Sequence, residues 1–253
     1  MLRDGRARDA AGSFVIEGPR LLAAALAQRA PLDAVFVAAD ASGAIREVVE
    51  QSAQSGVRVE WLSPGVAERL GSTVAPQGVF ALVKRDKQRA TDAFAAADFV
   101  VIADRVNDPG NAGTLWRSAA AAGADAYLLG RGSVDAYNPK LVRATAGACF
   151  SVPVIDDVDV ADALERCGAR GLVRVGAVVT GGATATPDAV DLSGPVVVVL
   201  GHEARGLSSD LPLDVTVTIP MAAGTESLNL AMAGTVLCFE VARQRRAAGR
   251  GPA

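Results

Sequence analysis

The feature that most constrains the fold is a series of short runs made almost wholly of apolar residues. They occupy residues 99–103, 126–129, 150–155, 172–179, 196–200 and 215–219, and stretches of helical periodicity such as 111–122 and 160–167 lie between them. A strand without alternating polar residues must be covered on both faces, as the strands of a parallel sheet are. The sequence therefore predicts a mainly parallel α/β domain over residues 98–248.

A shorter α/β alternation precedes this domain. Strands are predicted at 14–16, 34–37, 57–62 and 78–83, and the helices between them begin near Pro19, Ser42 and Pro64. Proline suits the first helical turn because no amide hydrogen is needed there. The pattern predicts a small α/β/α sandwich over residues 1–88, and the polar segment that follows, 89–97, is predicted to be a linker.

Composition excludes several classes of protein. No charge-free apolar run reaches the roughly 18 residues of a membrane span, and the basic start lacks the apolar stretch of a secretory signal. The cysteines Cys149, Cys167 and Cys238 are too scattered for a disulfide framework or a zinc site. His202 is the only histidine, which excludes histidine-based triads and zinc proteases and favours a local hydrogen-bonding role. We expect a cytoplasmic globular protein without membrane or metal.

The basic residues provide evidence both for and against binding of nucleic acid. A net charge of −3 supplies no global field that would attract a polyanion. Only three of the 25 basic residues are lysines, and the planar fork of arginine suits phosphate, although a GC-rich genome would produce the same bias. The basic clusters at 3–8, 84–89 and 243–246 are compatible with solvated faces and with an RNA-binding surface.

A first polar cluster follows the strand predicted at 99–103. Residues 104–117 read D-R-V-N-D-P-G-N-A-G-T-L-W-R. Asn111 is predicted to cap the next helix. Arg117 can point back toward the loop, because helical side chains lean toward the N-terminus. An ordinary cap and a surface arginine would give the same pattern.

Two more clusters follow strand ends. G-H-E-A-R-G-L at 201–207 places Glu203 between two glycines, which let a ligand approach the backbone closely. I-P-M at 219–221 and E-S-L-N-L-A at 226–231 precede the last helix. Ligands of open α/β sheets bind at the carboxyl ends of the strands, so the three clusters predict one binding site.

The last helix is predicted over residues 227–246, with Ser227 or Thr225 as its cap. Asn229 is a poor helix former in a first turn unless its amide is used. Apolar positions recur at spacings of three and four and predict one buried stripe, which consists of Leu228, Ala231, Met232, Thr235, Val236 and Phe239.

In this order, N-x-G-x-x-x-R, L-G-x-E-x-x-G-L and I-P-M…E-S-L-N-x-A resemble the three motifs of the SpoU family. Its members are RNA 2′-O-ribose methyltransferases of the knotted SPOUT superfamily. The resemblance covers about residues 98–246. F-V-I-E-G at 14–18 is similar, over a short motif, to the small RNA substrate-binding domain that precedes the catalytic domain in many members.

The resemblance implies a deep trefoil knot in the C-terminal domain, a homodimer, and S-adenosyl-L-methionine bound in the knot. It also implies two sets of site residues. The positions carried over for cofactor binding are Leu200, Gly201, Ile219, Met221 and Leu228. Those carried over for catalysis are Asn111, Arg117, Glu203, Ser227 and Asn229.

The family's proposal for the arginine that matches Arg117 is a general base acting with a substrate phosphate. A guanidinium has a pKa above about 12 and does not deprotonate in a protein, so Arg117 can instead anchor the phosphate and stabilise the developing alkoxide. Asn111, Ser227 and Asn229 would fix Arg117 or the ribose. Glu203 would hold the loop or pair with a cation.

The function implied by the resemblance is methylation of a ribose 2′-hydroxyl, with 23S ribosomal RNA as the first choice and transfer RNA as the second. Some members of the family confer antibiotic resistance in this way. Two rivals are a noncatalytic RNA-binding protein that has kept the fold and a dinucleotide-dependent oxidoreductase. The missing G-x-G-x-x-G fingerprint disfavours the oxidoreductase.

Overall fold

The computed structural model describes residues 4–41, 43–63, 65–71, 77–179, 183–223 and 227–250. Ser42 and Pro64, predicted near two helix starts, and the predicted cap Thr225 lie outside these residues. The strands are β1 Ser13–Glu17, β2 Leu32–Ala38, β3 Arg58–Leu62, β4 Val79–Lys84, β5 Phe99–Ala103, β6 Ala126–Gly130, β7 Val154–Val158, β8 Val173–Ala177, β9 Val196–Leu200 and β10 Val215–Val217. The helices are α1 Gly5–Ala11, α2 Pro19–Ala27, α3 Gly43–Gln54, α4 Val66–Leu70, α5 Lys87–Ala96, α6 Pro109–Ala121, α7 Pro139–Ala144, α8 Ala148–Ser151, α9 Val160–Ala169 and α10 Leu230–Ala247.

The chain divides into two compact units. The first combines Met1–Asp86 with Tyr137–Ser151, and the second combines Lys87–Ala136 with Val152–Ala253. The sequence predicts domains at 1–88 and 98–248 with a linker at 89–97. The structure differs in two segments, because the linker segment belongs to the second unit and because α7 and α8 belong to the first.

The first unit is built on a four-stranded sheet of order β1-β4-β2-β3. Strands β1 and β2 run antiparallel to β4, and β3 runs parallel to β2. Its core joins Val35 and Val37 of β2 to Leu22 of α2, and it also contains Val142 and Phe150. The strand predicted at 150–155 is therefore wrong at its start, since Phe150 lies in α8 and β7 begins only at Val154.

The second unit contains a six-stranded sheet of order β10-β8-β9-β5-β6-β7 in which every pairing is parallel. Strands β5, β6 and β9 are buried at every position. Both faces of these strands are therefore covered, as their apolar runs require. The predicted α/β class and parallel C-terminal sheet are confirmed. The trefoil knot stays a prediction.

Helix α5 occupies the segment for which the sequence predicts a linker. Ala90 and Phe94, one helical turn apart, are buried, and Phe94 belongs to the core of the second unit. The guanidinium of Arg170 donates to the carbonyl oxygen of Phe94 at 2.7 Å and to that of Ala97 near the end of the helix. The exposed face of α5 is mostly polar, so the sequence pattern does not reveal the few apolar residues that the helix buries.

Helix α10 buries a different face from the one its apolar spacing predicts. Leu228, just before the helix, is 39% exposed, and Met232, Val236 and Phe239 are 44–49% exposed. The buried face carries Ala231, Gly234, Leu237, Cys238 and Val241. It packs so tightly on α6 that a Cβ at Gly234 would lie 2.3 Å from Cδ1 of Leu115. Four members of the predicted stripe therefore form an exposed apolar patch.

Candidate active site

The polar clusters that follow β5 and β9 lie side by side, because these strands are neighbours in the sheet. The amide of Asp104 donates to the carbonyl oxygen of Leu200 at 2.8 Å, which extends the pairing one residue past the end of β5. Asp108 then caps α6, since its Oδ1 accepts a hydrogen bond from the amide of Asn111 at 2.7 Å. The prediction of Asn111 as the cap is wrong. Its side chain is thereby left for another contact.

A series of side-chain hydrogen bonds joins all three clusters. Asn111 Nδ2 donates to Glu203 Oε1 at 3.2 Å, and Asn229 Nδ2 donates to Asn111 Oδ1 at 3.0 Å. Asn229 Oδ1 accepts from the amides of Ala231 and Met232 at 2.9 and 3.3 Å. Asn229, and not Ser227, is therefore the N-cap of α10, and its amide is used as its position in the sequence suggests. We call Glu203, Asn111 and Asn229 the amide relay.

A cavity of about 650 Å³ lies beside the amide relay. All five residues predicted to bind the cofactor line it, and so do Glu203, Ser227 and Asn229. Ser227 makes no hydrogen bond within the part of the chain that the structure describes, so its hydroxyl is available to a ligand. Sequence reasoning missed Val178 and Leu237, which also line the cavity. A signal existed for Val178, since it directly follows β8, the neighbour of β9.

Gly201 lines the cavity and packs closely against the loop that follows it. A Cβ there would lie 2.4 Å from both the carbonyl carbon and the oxygen of Gly206, so no other residue fits without moving this loop. The loop closes on itself, because the amide of Gly206 donates to the carbonyl oxygen of His202 at 2.8 Å. His202 Nδ1 accepts from the amide of Ala204 at 3.0 Å, which confirms its predicted local role.

Arg117 stands apart from the amide relay. Its side chain is exposed on α6 and makes no hydrogen bond or ion pair within the described residues. Neither asparagine holds Arg117 here, since the two bond each other and Glu203. The alternative, that Asn111, Ser227 and Asn229 fix the ribose, stays a prediction. The neighbours of Arg117 on α6 are fixed instead. Trp116 Nε1 donates to the carbonyl oxygen of Val152 at 3.0 Å, and the Ser118 hydroxyl lies 2.7 Å from that of Thr235.

None of the three cysteines lines the cavity, and burial raises the pKa of each. Burial raises the pKa of Cys149 to about 11 and that of Cys238 to about 12, so neither supplies a thiolate at neutral pH. Among the described residues, no group of three or more His, Cys, Asp or Glu side chains is placed to hold a metal ion. No helix in the described part of the chain is long and apolar enough to cross a membrane.

This arrangement agrees with what comparison with known proteins finds. Residues 98–239 match the SpoU rRNA Methylase family, and residues 1–81 match the MRM3-like substrate binding domain. The chain belongs to the SpoU rRNA methylase family. It is an S-adenosylmethionine-dependent RNA methyltransferase.

Individual relatives cover nearly the whole chain. An uncharacterized tRNA/rRNA methyltransferase of Synechocystis is 32% identical over 98% of this chain and 90% of the relative. The 23S rRNA (guanosine(2553)-2′-O)-methyltransferase RlmP of Bacillus subtilis is 27% identical over 95% of this chain and 92% of its own. The structure of the SpoU methyltransferase AviRb from Streptomyces viridochromogenes, in complex with AdoMet, matches with a TM-score of 0.82 and 28% identity, over 97% of this chain and 96% of AviRb.

The residues of the cavity fit S-adenosylmethionine. Adenine is neutral and needs apolar walls with backbone hydrogen-bonding groups, and it does not need a phosphate-cradling loop. Leu200, Ile219 and Leu228 supply apolar surface, and Gly201, lacking a Cβ, leaves the adjacent backbone uncovered.

Proposed function

We propose that this protein methylates a ribose 2′-hydroxyl of 23S ribosomal RNA. The observation that carries the proposal is the amide relay at the edge of a cavity that fits S-adenosylmethionine. Two relatives support the choice of RNA: RlmP of Bacillus subtilis and the 23S rRNA (guanosine-2′-O-)-methyltransferase RlmB of Xanthomonas, which is 33% identical over 79% of this chain. We place the protein in the cytoplasm with this substrate.

The bound cofactor supplies a methyl group that its sulfonium already activates. The chain must place the ribose oxygen in line with that methyl and help the hydroxyl proton leave. Positioning alone supplies several kcal/mol, up to about 7–11 kcal/mol in favourable cases. The amide relay fixes the edge of the site, and the Ser227 hydroxyl, which has no partner among the described residues, donates to the ribose.

Arg117 anchors the substrate phosphate and stabilises the oxyanion that develops on the ribose. Its exposed side chain on the rigidly held α6 is free to meet RNA. A guanidinium keeps its proton in proteins, so this role is electrostatic and does not include proton abstraction. Glu203 fixes the loop after β9 by accepting from Asn111.

The first unit binds RNA, a role supported by the match of residues 1–81 to a substrate-binding domain. Among the basic residues of the N-terminal cluster, Arg3 lies outside the described residues, and Arg8 is only 4% exposed and cannot contact RNA directly. Arg6 and Arg20 are exposed and are the ones we assign to phosphate.

The exposed apolar patch on α10 binds a second copy of the chain. It consists of Leu228, Met232, Val236 and Phe239. A soluble monomer rarely exposes a contiguous row of large apolar side chains, and such a row marks an interface. The patch starts at the cavity, which Leu228 also lines, so the second copy lies close to the candidate active site.

The deciding experiment incubates the purified protein with labelled S-adenosylmethionine and deproteinised RNA from a strain that lacks its gene. We expect label in 23S ribosomal RNA, at a nucleotide that mass mapping identifies by a 2′-O-methyl ribose. Label confined to transfer RNA would replace the proposed substrate. RNA binding without any methyl transfer would show a noncatalytic RNA-binding protein.

A further inference from the structure

Arg105 occupies a backbone conformation that only a strong local requirement explains. Its φ is +54°, in the left-handed region that favours glycine, and it directly follows Asp104 at the carboxyl end of β5. Side chains larger than glycine are held there at a cost, and such residues cluster at functional sites. The unfavourable backbone conformation therefore suggests that the side chain of Arg105 has a function.

The side chain of Arg105 is held by a buried carboxylate. Its Nε donates to Oδ2 of Asp104 at 2.9 Å, and its Nη2 forms an ion pair with the same oxygen at 2.8 Å. The Asp104 side chain is 8% exposed, whereas that of Arg105 is 36% exposed. Oδ1 of Asp104 packs against Gly130, where a Cβ would approach it to 2.9 Å. The buried carboxylate of Asp104 thus fixes one edge of the guanidinium.

The other edge of the guanidinium has no partner. Nη1 makes no hydrogen bond or ion pair with the part of the chain that the structure describes, and the contact of Nη2 there is its ion pair with Asp104. A guanidinium offers five donors in a planar fork, and the contacts of Nε and Nη2 with Asp104 leave the Nη1 side for a second anion. The Arg105 side chain is 36% exposed, so a ligand can reach its guanidinium.

Arg105 stands beside the cofactor cavity without lining it. The amide of Asp104 donates to the carbonyl oxygen of Leu200, and the next residue, Gly201, opens the cavity. On the other side, a Cβ at Gly132 would lie 3.9 Å from Cγ of Arg105, so the loop after β6 runs close to its aliphatic stem. The charge of Arg105 also reaches Asp210, where it helps to keep the pKa of that carboxyl low, after the larger effect of the Ser208 hydroxyl.

We propose that Arg105 is a substrate-binding residue whose free guanidinium edge grips a phosphodiester of the RNA next to the methylated nucleotide. This inference rests on the proposed function. It assigns a phosphate contact to the methyltransferase unit itself, in addition to Arg117 and to the first unit. Asp104 orients the guanidinium, and the left-handed backbone aims it outward.

The test compares variants that separate charge, orientation and fold. Arg105→Gln combined with Asp104→Asn removes both charges and leaves no unpaired buried anion. Arg105→Lys keeps the charge that Asp104 needs and loses the oriented second edge. Arg131→Gln is the matched control, since Arg131 follows the neighbouring strand β6, is 66% exposed and already faces Asp157 and Asp159.

We expect the double variant to bind S-adenosylmethionine as the wild type does and to raise the KM for RNA about 5- to 10-fold with little change in kcat. The slope of log KM against the logarithm of the salt concentration should become smaller by about one, as expected for the loss of one phosphate contact. Arg105→Lys should raise KM comparably with a smaller change in slope, and Arg131→Gln should change neither. The lysine variant keeps the charge that pairs with Asp104. It therefore tests the role of Arg105 even if the double variant is unfolded.

Wild-type KM and slope in the folded variants would overturn the role of Arg105, and so would an equal effect of Arg131→Gln. If the wild type binds RNA but transfers no methyl group, the proposed function fails, and equilibrium binding of the same RNA decides the role of Arg105 separately. If the wild type binds no RNA, both proposals are wrong.

Discussion

Asn229 donates a hydrogen bond from Nδ2 to Oδ1 of Asn111 at 3.0 Å, although 118 positions separate the two residues in the chain. The same Asn229 caps α10 with its other side-chain atom. A single amide thus serves the stability of a helix and the order of the candidate active site, and substitutions can separate the two tasks.

Asn229→Asp should keep the helix and damage the site. A carboxylate still caps α10, and a negative charge at a helix N-terminus is favourable. It cannot donate to Asn111, however, and a flipped Asn111 amide would set its oxygen against Glu203. We expect a melting temperature close to that of the wild type and turnover at least about 10-fold lower. Asn229→Ala should lower both, with about 1 kcal/mol of stability lost. Wild-type turnover in the aspartate variant would remove the amide relay from catalysis.

Gly201→Val should abolish cofactor binding. The new side chain would meet the backbone of Gly206, since a Cβ alone would already lie 2.4 Å from it. Isothermal titration with S-adenosylmethionine measures the affinity. Gly194→Ala is the control, because a Cβ there meets nothing within 4 Å. Unchanged affinity in the valine variant would mean that the cofactor binds elsewhere.

Arg117→Ala should lower the single-turnover rate by about 100-fold or more, the scale for removing an electrostatic group. Cofactor affinity should barely change, because Arg117 does not line the cavity. Arg117→Lys should be nearly as poor if the planar fork anchors phosphate. Substantial activity in the lysine variant, with a shifted pH profile, would instead favour a proton acceptor at this position. Near-normal turnover in the alanine variant would contradict both roles.

Phe239→Glu should convert the protein to a monomer, because a charge in the apolar patch of α10 opposes its burial against a second copy. Sedimentation or light scattering measures the mass. Trp61→Glu is the matched control, since Trp61 on β3 is 57% exposed and lies far from α10 in the sequence. A wild-type monomer, or dissociation of both variants alike, would count against the patch as the interface.

The sequence predicts the sheet and the location of the site well, because uninterrupted apolar strands and the polar loops that follow them are local signals. Asn111, Glu203, Asn229 and the five cofactor positions all lie at the predicted edge. Periodicity does not show what covers an apolar face. It therefore cannot distinguish the exposed row Met232, Val236 and Phe239 from the buried face of α10, and it does not detect the narrow buried face of α5.

The core of the first unit also depends on residues that the ribosome adds late. Val142 and Phe150 complete that core, yet they follow strands β5 and β6 of the second unit in the chain. During synthesis the N-terminal sheet must wait for at least 64 further residues after Asp86 before Phe150 can join it. A protein shortened to its first 88 residues would lack this part of the core, so the boundary of the folded unit is not the boundary of the sequence match at residues 1–81.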